Sequence, residues 1–173
     1  MKALVLGGVR SGKSRYAAAL ADEQACPITL VATGTALDDE MAARIAAHRA
    51  SRSAIWTLIE EPTHLAAALT AAAGPNRVLI VDCLTLWLTN LMCGDDPDAL
   101  RRESRQVFEV LPTLPGHCVL VANEVSLGIV PASALARRFT DEAGVLHQGL
   151  AALCDRVVFM VAGLPLTVKP GAP

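Results

Sequence analysis

Aromatic residues are scarce in this chain, at 3% of 173 positions, so a core has to be built from aliphatic side chains, alanine and leucine above all. Charge is scarce too. Charged residues make up 18%, the net charge is −2, and no basic tract suggests a nucleic-acid partner. Long apolar runs are missing although 53% of residues are hydrophobic and mean hydropathy is +0.41. No run approaches the roughly 20 residues that span a bilayer. The apolar excess is therefore assigned to a central sheet covered on both faces and to a subunit interface. The apolar run at the N-terminus is too short for a signal peptide, and a cytoplasmic location is expected. The five cysteines (Cys26, Cys83, Cys93, Cys118 and Cys154) show no C-x-x-C spacing and are odd in number. They read as buried free thiols rather than as a zinc site or a disulfide framework. Repeats, low-complexity tracts and linkers are also lacking, and the length suits one domain over residues 1–173.

What is present begins at the first residues. Lys2-Ala3-Leu4-Val5-Leu6 reads as a short buried strand. It runs into Gly7-Gly8-Val9-Arg10-Ser11-Gly12-Lys13-Ser14, which matches the phosphate-binding loop G-x-x-x-x-G-K-[ST] at every fixed position. Such a loop turns successive backbone N–H groups toward an anion, and the helix that follows adds its positive N-terminal end. Lys13 supplies a charge for the β- and γ-phosphates, and the Ser14 hydroxyl is placed to ligate Mg²⁺. A helical run after the loop completes the context that the motif requires. The chain is expected to bind a nucleoside triphosphate.

Strand-length apolar runs recur at 3–6, 28–32, 55–59, 78–81, 118–122 and 157–161, with a further extended piece at 165–168. Helical stretches alternate with them, at 13–24, 38–50, 62–73, 84–92, 97–111 and 132–153. This alternation predicts an α/β fold with a mainly parallel sheet and helices on both faces. In such sheets ligands bind at the carboxyl ends of the strands. Asp82 follows four apolar residues there, as does the acid that helps to hold Mg²⁺ in phosphate-loop enzymes. Glu124 stands in the equivalent place after 118–122. It reads either as a group that orients water, accepts a substrate proton or completes the metal shell, or as a solvated loop acid. Glu60-Glu61 also follow a strand, either reaching the nucleotide or capping the next helix. The guanine motif N-K-x-D, the transporter signature L-S-G-G-Q and an arginine-rich lid are all absent.

His48 lies on a helix face with Met41, Arg44, Ile45 and Arg52 at 100° per residue. Flanking cations favour the neutral, nucleophilic imidazole and attract a phosphate to it. A surface histidine on a charged helix is the other reading. His64, His117 and His147 carry weaker signals; His147 follows the polar break Asp141-Glu142-Ala143-Gly144 and reads as helix surface, a core histidine or a group facing the site.

Together these segments resemble the bifunctional adenosylcobinamide kinase / adenosylcobinamide-phosphate guanylyltransferase family of cobalamin biosynthesis. The resemblance covers essentially the whole chain. It rests on the phosphate loop with Arg10-Ser11 inside it, on Ala32-Thr33-Gly34, and on Leu37-Asp38-Asp39-Glu40-Met41 with Arg44, Ile45, His48 and Arg49. It continues through Trp56, Glu60-Glu61-Pro62, Val81-Asp82-Cys83-Leu84-Thr85-Leu86-Trp87-Leu88-Thr89-Asn90, Asn123-Glu124-Val125 and Gly128-Ile129-Val130-Pro131. It ends with Arg138-Phe139, Asp141, Gly144 and Ala162-Gly163-Leu164-Pro165-Leu166.

The resemblance implies phosphorylation of the aminopropanol hydroxyl of adenosylcobinamide by a nucleoside triphosphate such as ATP or GTP. Transfer of GMP from GTP to a histidine, and from there to adenosylcobinamide phosphate, would follow. His48 matches that histidine. Nucleotide contacts carry over to Gly7, Gly8, Val9, Arg10, Ser11, Gly12, Lys13 and Ser14, to Ala32, Thr33 and Gly34, to Arg49 and Arg52, and to Glu60 and Asp82. The catalytic set is His48, Lys13 and Glu124; Mg²⁺ falls to Ser14 and Asp82. A homotrimer is implied as well. Where the family usually carries Asn-Gln on the long helix, this chain has His147-Gln148. The expected fold is a single P-loop NTPase domain of the RecA-like kind. A kinase of another small metabolite without covalent GMP, and a nucleotide-dependent switch, are the alternatives; neither needs the Arg44–His48–Arg52 face.

Overall fold

The computed structural model describes residues 1–35 and 56–171. Seven strands form one sheet: β1 (Lys2–Gly7), β2 (Ile28–Ala32), β3 (Thr57–Glu60), β4 (Val78–Asp82), β5 (His117–Asn123), β6 (Arg156–Val161) and β7 (Leu164–Lys169). Their spatial order is β3-β2-β4-β5-β1-β6-β7. The first six run parallel, and β7 returns antiparallel along β6. The extended piece at 165–168 is thus an edge strand. The strand expected at 55–59 begins at Thr57, and the helix expected over 38–50, with His48, lies outside the described residues.

The described helices are α1 (Lys13–Asp22), α2 (Leu65–Ala72), α3 (Leu84–Cys93), α4 (Ala99–Val110) and α5 (Ala134–Leu153). Successive strand residues point to opposite faces, and this sorts the core into two layers. Leu4, Val31, Leu79, Val81 and Leu120 pack with α2, α3, α4 and α5 around the fully buried Trp87. Ala3, Val5, Leu30, Ile80, Val119 and Val158 face the other way, against Ala17, Leu20 and Ala21 of α1. Helices therefore cover both faces, but unequally among the described residues.

Helix boundaries follow local chemistry. α2 starts at Leu65 rather than at Pro62 because the Glu61 carboxylate takes the N–H groups of Thr63 (2.9 Å) and His64 (2.8 Å). Ser133 caps α5, accepting from the N–H of Ala136. α4 tightens into a 3₁₀ turn at Leu111–Thr113, where Pro112 sits. All five cysteines are free; Cys118 and Cys154 are buried, Cys26 and Cys83 half-buried, and Cys93, at the end of α3, is exposed, contrary to the expectation that all are buried. Burial pushes the thiols of Cys118 and Cys154 up to about 12, so neither is a nucleophile.

The order of the strands gathers the site. β1 lies between β5 and β6, and β4 adjoins β5 on its far side. The carboxyl ends of β1, β5, β4 and β2 bring the phosphate loop, Glu124, Asp82 and Thr33 to one edge of the sheet.

Candidate active site

The loop leaves β1 at Gly7, which pairs with Asn123 on one side and Met160 on the other. A Cβ on Gly7 would lie 2.6 Å from the Met160 carbonyl oxygen and 2.7 Å from Ser11 Oγ, so only glycine fits. Arg10 takes a left-handed φ of 55°, and Gly12, at φ 94°, closes the loop onto the first turn of α1. The turn between β6 and β7 braces the loop from outside, the Gly163 N–H donating to the Ser11 carbonyl at 3.1 Å. Val9 and Arg10 are exposed, while Ser11 and Lys13 are buried. Ser11 Oγ is buried in the loop with no hydrogen-bond partner among the described residues.

Lys13 folds back to donate from Nζ to the Gly8 carbonyl at 2.6 Å. Burial lowers its pKa, and the nearby Cys83 and Asp82 oppose that shift. Asp82 is thus within electrostatic reach of the loop lysine, as a shared phosphate–metal site requires. Ser14, half-buried in the first turn of α1, completes a hard-oxygen donor set suited to Mg²⁺ together with phosphate oxygens. Among the described residues no group of three or more His, Cys, Asp or Glu gathers as a metal site of its own.

Asp82 lies opposite Ala32 in the sheet, and Ala32 opposite Glu60, so three strand ends align. Thr33, fully buried, clasps the residue after Asp82: its hydroxyl donates to the Cys83 carbonyl (2.7 Å) and accepts from the Cys83 N–H (3.0 Å). Asn90 of α3 donates to the Thr33 carbonyl at 2.7 Å. Gly34 follows, half-buried at the same edge. The structure therefore sets the loop, Glu124, Asp82, residues 32–34 and Glu60 along the carboxyl ends of one sheet, with Glu60 at the far side, three strands lying between β3 and the loop strand β1. His48, Arg49 and Arg52 lie outside the described residues.

Glu124 is tied to the loop directly, its N–H donating to the Gly7 carbonyl at 3.0 Å. Its Oε1 accepts from the Ser126 N–H at 2.7 Å and from the Ser126 hydroxyl. Its Oε2 faces Nδ1 of His147 on α5 at 3.6 Å. Burial would raise the Glu124 pKa, but the Ser126 bonds and His147 outweigh it and hold the carboxyl below its ordinary value. Burial lowers the His147 pKa despite Glu124. The pair is a carboxylate facing a neutral imidazole. The sequence reading left His147 among several roles; the signal was its spacing, three and four residues from the buried Leu150 and Ala143 on one helix stripe.

The sequence model of the cobinamide kinase / cobinamide phosphate guanyltransferase family matches residues 3–168. The chain belongs to this family. The bifunctional adenosylcobalamin biosynthesis protein CobP of Pseudomonas aeruginosa is 53% identical over 169 residues, 98% of either chain. The corresponding protein CobU of Escherichia coli is 41% identical over 182 residues, covering 98% of this chain and 100% of that one. A solved structure from Pyrococcus horikoshii OT3 shares the fold at a TM-score of 0.51 and 10% identity, over 98% of this chain and 86% of that one.

In this cobinamide kinase / guanyltransferase family member the loop and Lys13 thus lie at the end of β1, with the carboxylates of Asp82 and Glu124 at or just after the ends of the neighbouring strands β4 and β5 and the Ser14 hydroxyl in the first turn of α1. No described helix is long and apolar enough to cross a membrane.

Proposed function

We propose that the chain phosphorylates adenosylcobinamide and then guanylylates the product, with both reactions using the triphosphate cradle at Gly7–Ser14. The observation that carries the reading is that cradle, with Asp82 and Glu124 at neighbouring strand ends, in a chain matched over residues 3–168 by the family. In the first reaction the aminopropanol hydroxyl oxygen bonds to the γ-phosphorus of ATP or GTP. The β–γ bridging bond breaks, the nucleoside diphosphate leaves with its electron pair, and Glu124 accepts the hydroxyl proton. Lys13 and the loop N–H groups stabilise the charge on the phosphoryl oxygens. Mg²⁺ held by Ser14 and Asp82 supplies further charge neutralisation when bound.

In the second reaction the neutral imidazole of His48 attacks the α-phosphorus of GTP and pyrophosphate leaves, giving a phosphoramidate. A phosphate oxygen of adenosylcobinamide phosphate then displaces the imidazole, giving adenosylcobinamide-GDP and restoring His48. Two displacements replace one harder one. Ala32, Thr33, Gly34, Arg49, Arg52 and Glu60 are assigned to the nucleotide. A cytoplasmic homotrimer is the assembly we propose, and the exposed apolar side chains Leu127, Ile129, Val130, Leu164 and Leu166 support a subunit interface.

The test is incubation with Mg²⁺ and GTP labelled at the α-phosphate, followed by denaturation. Label that resists alkali, is lost in acid and is absent from His48→Ala is the expected result. Absence of label in protein that binds GTP would leave phosphorylation without a covalent guanylyl step.

A further inference from the structure

We infer that His147 is a positioning residue for the proton-accepting carboxylate, bracing Oε2 of Glu124 from α5. The inference rests on the reading of Glu124 as the base of the phosphorylation step. Three tethers define the carboxylate. The main-chain N–H of Glu124 donates to the Gly7 carbonyl at 3.0 Å, fixing its backbone to the start of the phosphate loop. Oε1 is held by the N–H and hydroxyl of Ser126, the next residue but one along the same connection. Oε2 has only His147 as a charged or titratable neighbour among the described ion pairs, at 3.6 Å from Nδ1.

The side chains of His147 and Glu124 are 9% and 15% exposed, so water competes little for this contact. Leu146 and Leu150 bury the same stripe of α5 against the sheet, which makes the imidazole a fixed wall rather than a swinging arm. An imidazole nitrogen facing a carboxylate oxygen has to present N–H, because two lone pairs would repel. That sets the tautomer with the proton on Nδ1.

At 3.6 Å the contact is longer than a hydrogen bond. Catalytic contacts commonly tighten when substrate arrives, and a shift of about half an ångström closes this one. A carboxylate oxygen accepts more than one hydrogen bond, so Oε2 can hold His147 and still take the incoming hydroxyl proton. With His147 gone, the carboxylate is held only from its own connection, by Ser126 and the Val125 N–H, and Ser126 is exposed. Misplacement of a reacting group by about 1 Å is enough to cost about a hundredfold in rate.

The experiment measures steady-state phosphorylation of adenosylcobinamide in four chains: His147→Leu, His147→Asn, Glu124→Gln and the Glu124→Gln/His147→Leu double variant. Leucine keeps the bulk and removes the donor, whereas asparagine keeps an N–H donor close to the position of Nδ1. The expected result is a kcat lowered about ten- to a hundredfold in His147→Leu with KM for both substrates within about twofold. His147→Asn should stay within about threefold of the parent. The double variant should be no slower than Glu124→Gln alone, since the two residues act as one unit.

A normal kcat in His147→Leu, a His147→Asn chain as slow as His147→Leu, or additive losses in the double variant would each overturn the inference. Full activity in Glu124→Gln would instead remove the base on which it rests. If His147→Leu fails to fold, His147→Ala with added imidazole takes its place. Recovery of kcat by imidazole supports the assignment, and no recovery overturns it.

Discussion

Thr33 is a residue whose chemistry is spent on the backbone. Its hydroxyl bonds both polar groups of Cys83 and so holds the chain that emerges from Asp82. Thr33→Val keeps the shape and leaves two partly buried backbone groups unpaired, at a cost of about 1–3 kcal/mol. Denaturant titration should show that loss, and Thr33→Ser should restore most of it. An unchanged midpoint for Thr33→Val would mean that water replaces the hydroxyl. Gly7→Ala is the harsher change. Its Cβ meets a strand carbonyl rather than a flexible side chain, so overpacking should cost about 1–3 kcal/mol and nucleotide affinity should fall with it. Calorimetric titration with GTP checks this; parent-like binding by a folded Gly7→Ala chain would show that the loop yields. At this scale the sequence was informative where chemistry is local. The loop glycines, Lys13 and Asp82 follow from spacing along one segment. The pairing of Glu124 with His147 is set by how α5 lies across the sheet, and no local pattern states it.

Among elements, the entry to α2 carries a measurable pH signature. Burial would raise the Glu61 pKa, but the N–H groups of Thr63 and His64, the His64 charge and the Thr63 hydroxyl outweigh it and hold the carboxyl below 4.5. The folded state therefore binds this proton less readily than the unfolded chain does. Its contribution to stability is complete above the ordinary glutamate value and is lost as pH falls through the lower folded value. Glu61→Gln should be less stable than the parent near neutrality, and the gap should narrow in acid. Denaturation midpoints followed from about pH 6 to about pH 3 test the sign, and a gap that stays constant would refute the linkage. The same carboxylate explains why the helix expected from Pro62 starts at Leu65. A side-chain cap three residues upstream competes with the first turn, and Pro62 alone could not reveal which of Glu60 and Glu61 supplies it.

For the whole molecule, alternation of strands and helices was legible because a sheet buried on both faces needs uninterrupted apolar strands. The order β3-β2-β4-β5-β1-β6-β7 was not, since crossovers leave no mark on hydropathy. The use of the apolar excess was legible as far as the sheet covered on both faces, but not residue by residue. Much of it fills the two core layers, yet Ile129 is 98% exposed, and Leu127, Val130, Leu164, Leu166 and Val168 are exposed as well. Single exposed aliphatics are ordinary, whereas a series on one connection and one edge strand calls for cover. Three copies of the 18.1 kDa chain would sediment at about 54 kDa. Ile129→Asp and Leu166→Asp should lower that mass without unfolding the sheet. Sedimentation of the parent chain at the mass of one copy would exclude the trimer.

The scarcity of aromatic rings has an optical consequence. Trp87 is sealed in the core with its indole N–H on the Thr63 carbonyl, whereas Trp56 lies half-buried at the head of β3, eight positions beyond His48 in the chain. The protein therefore carries its own two-channel fluorometer. One indole, shielded from solvent and quencher alike, gives a steady blue-shifted reference. The other, partly wet, shifts its emission with whatever happens beside it. Trp56→Phe and Trp87→Phe chains would separate the two signals, and nucleotide arrival could then be timed by stopped flow without any attached dye.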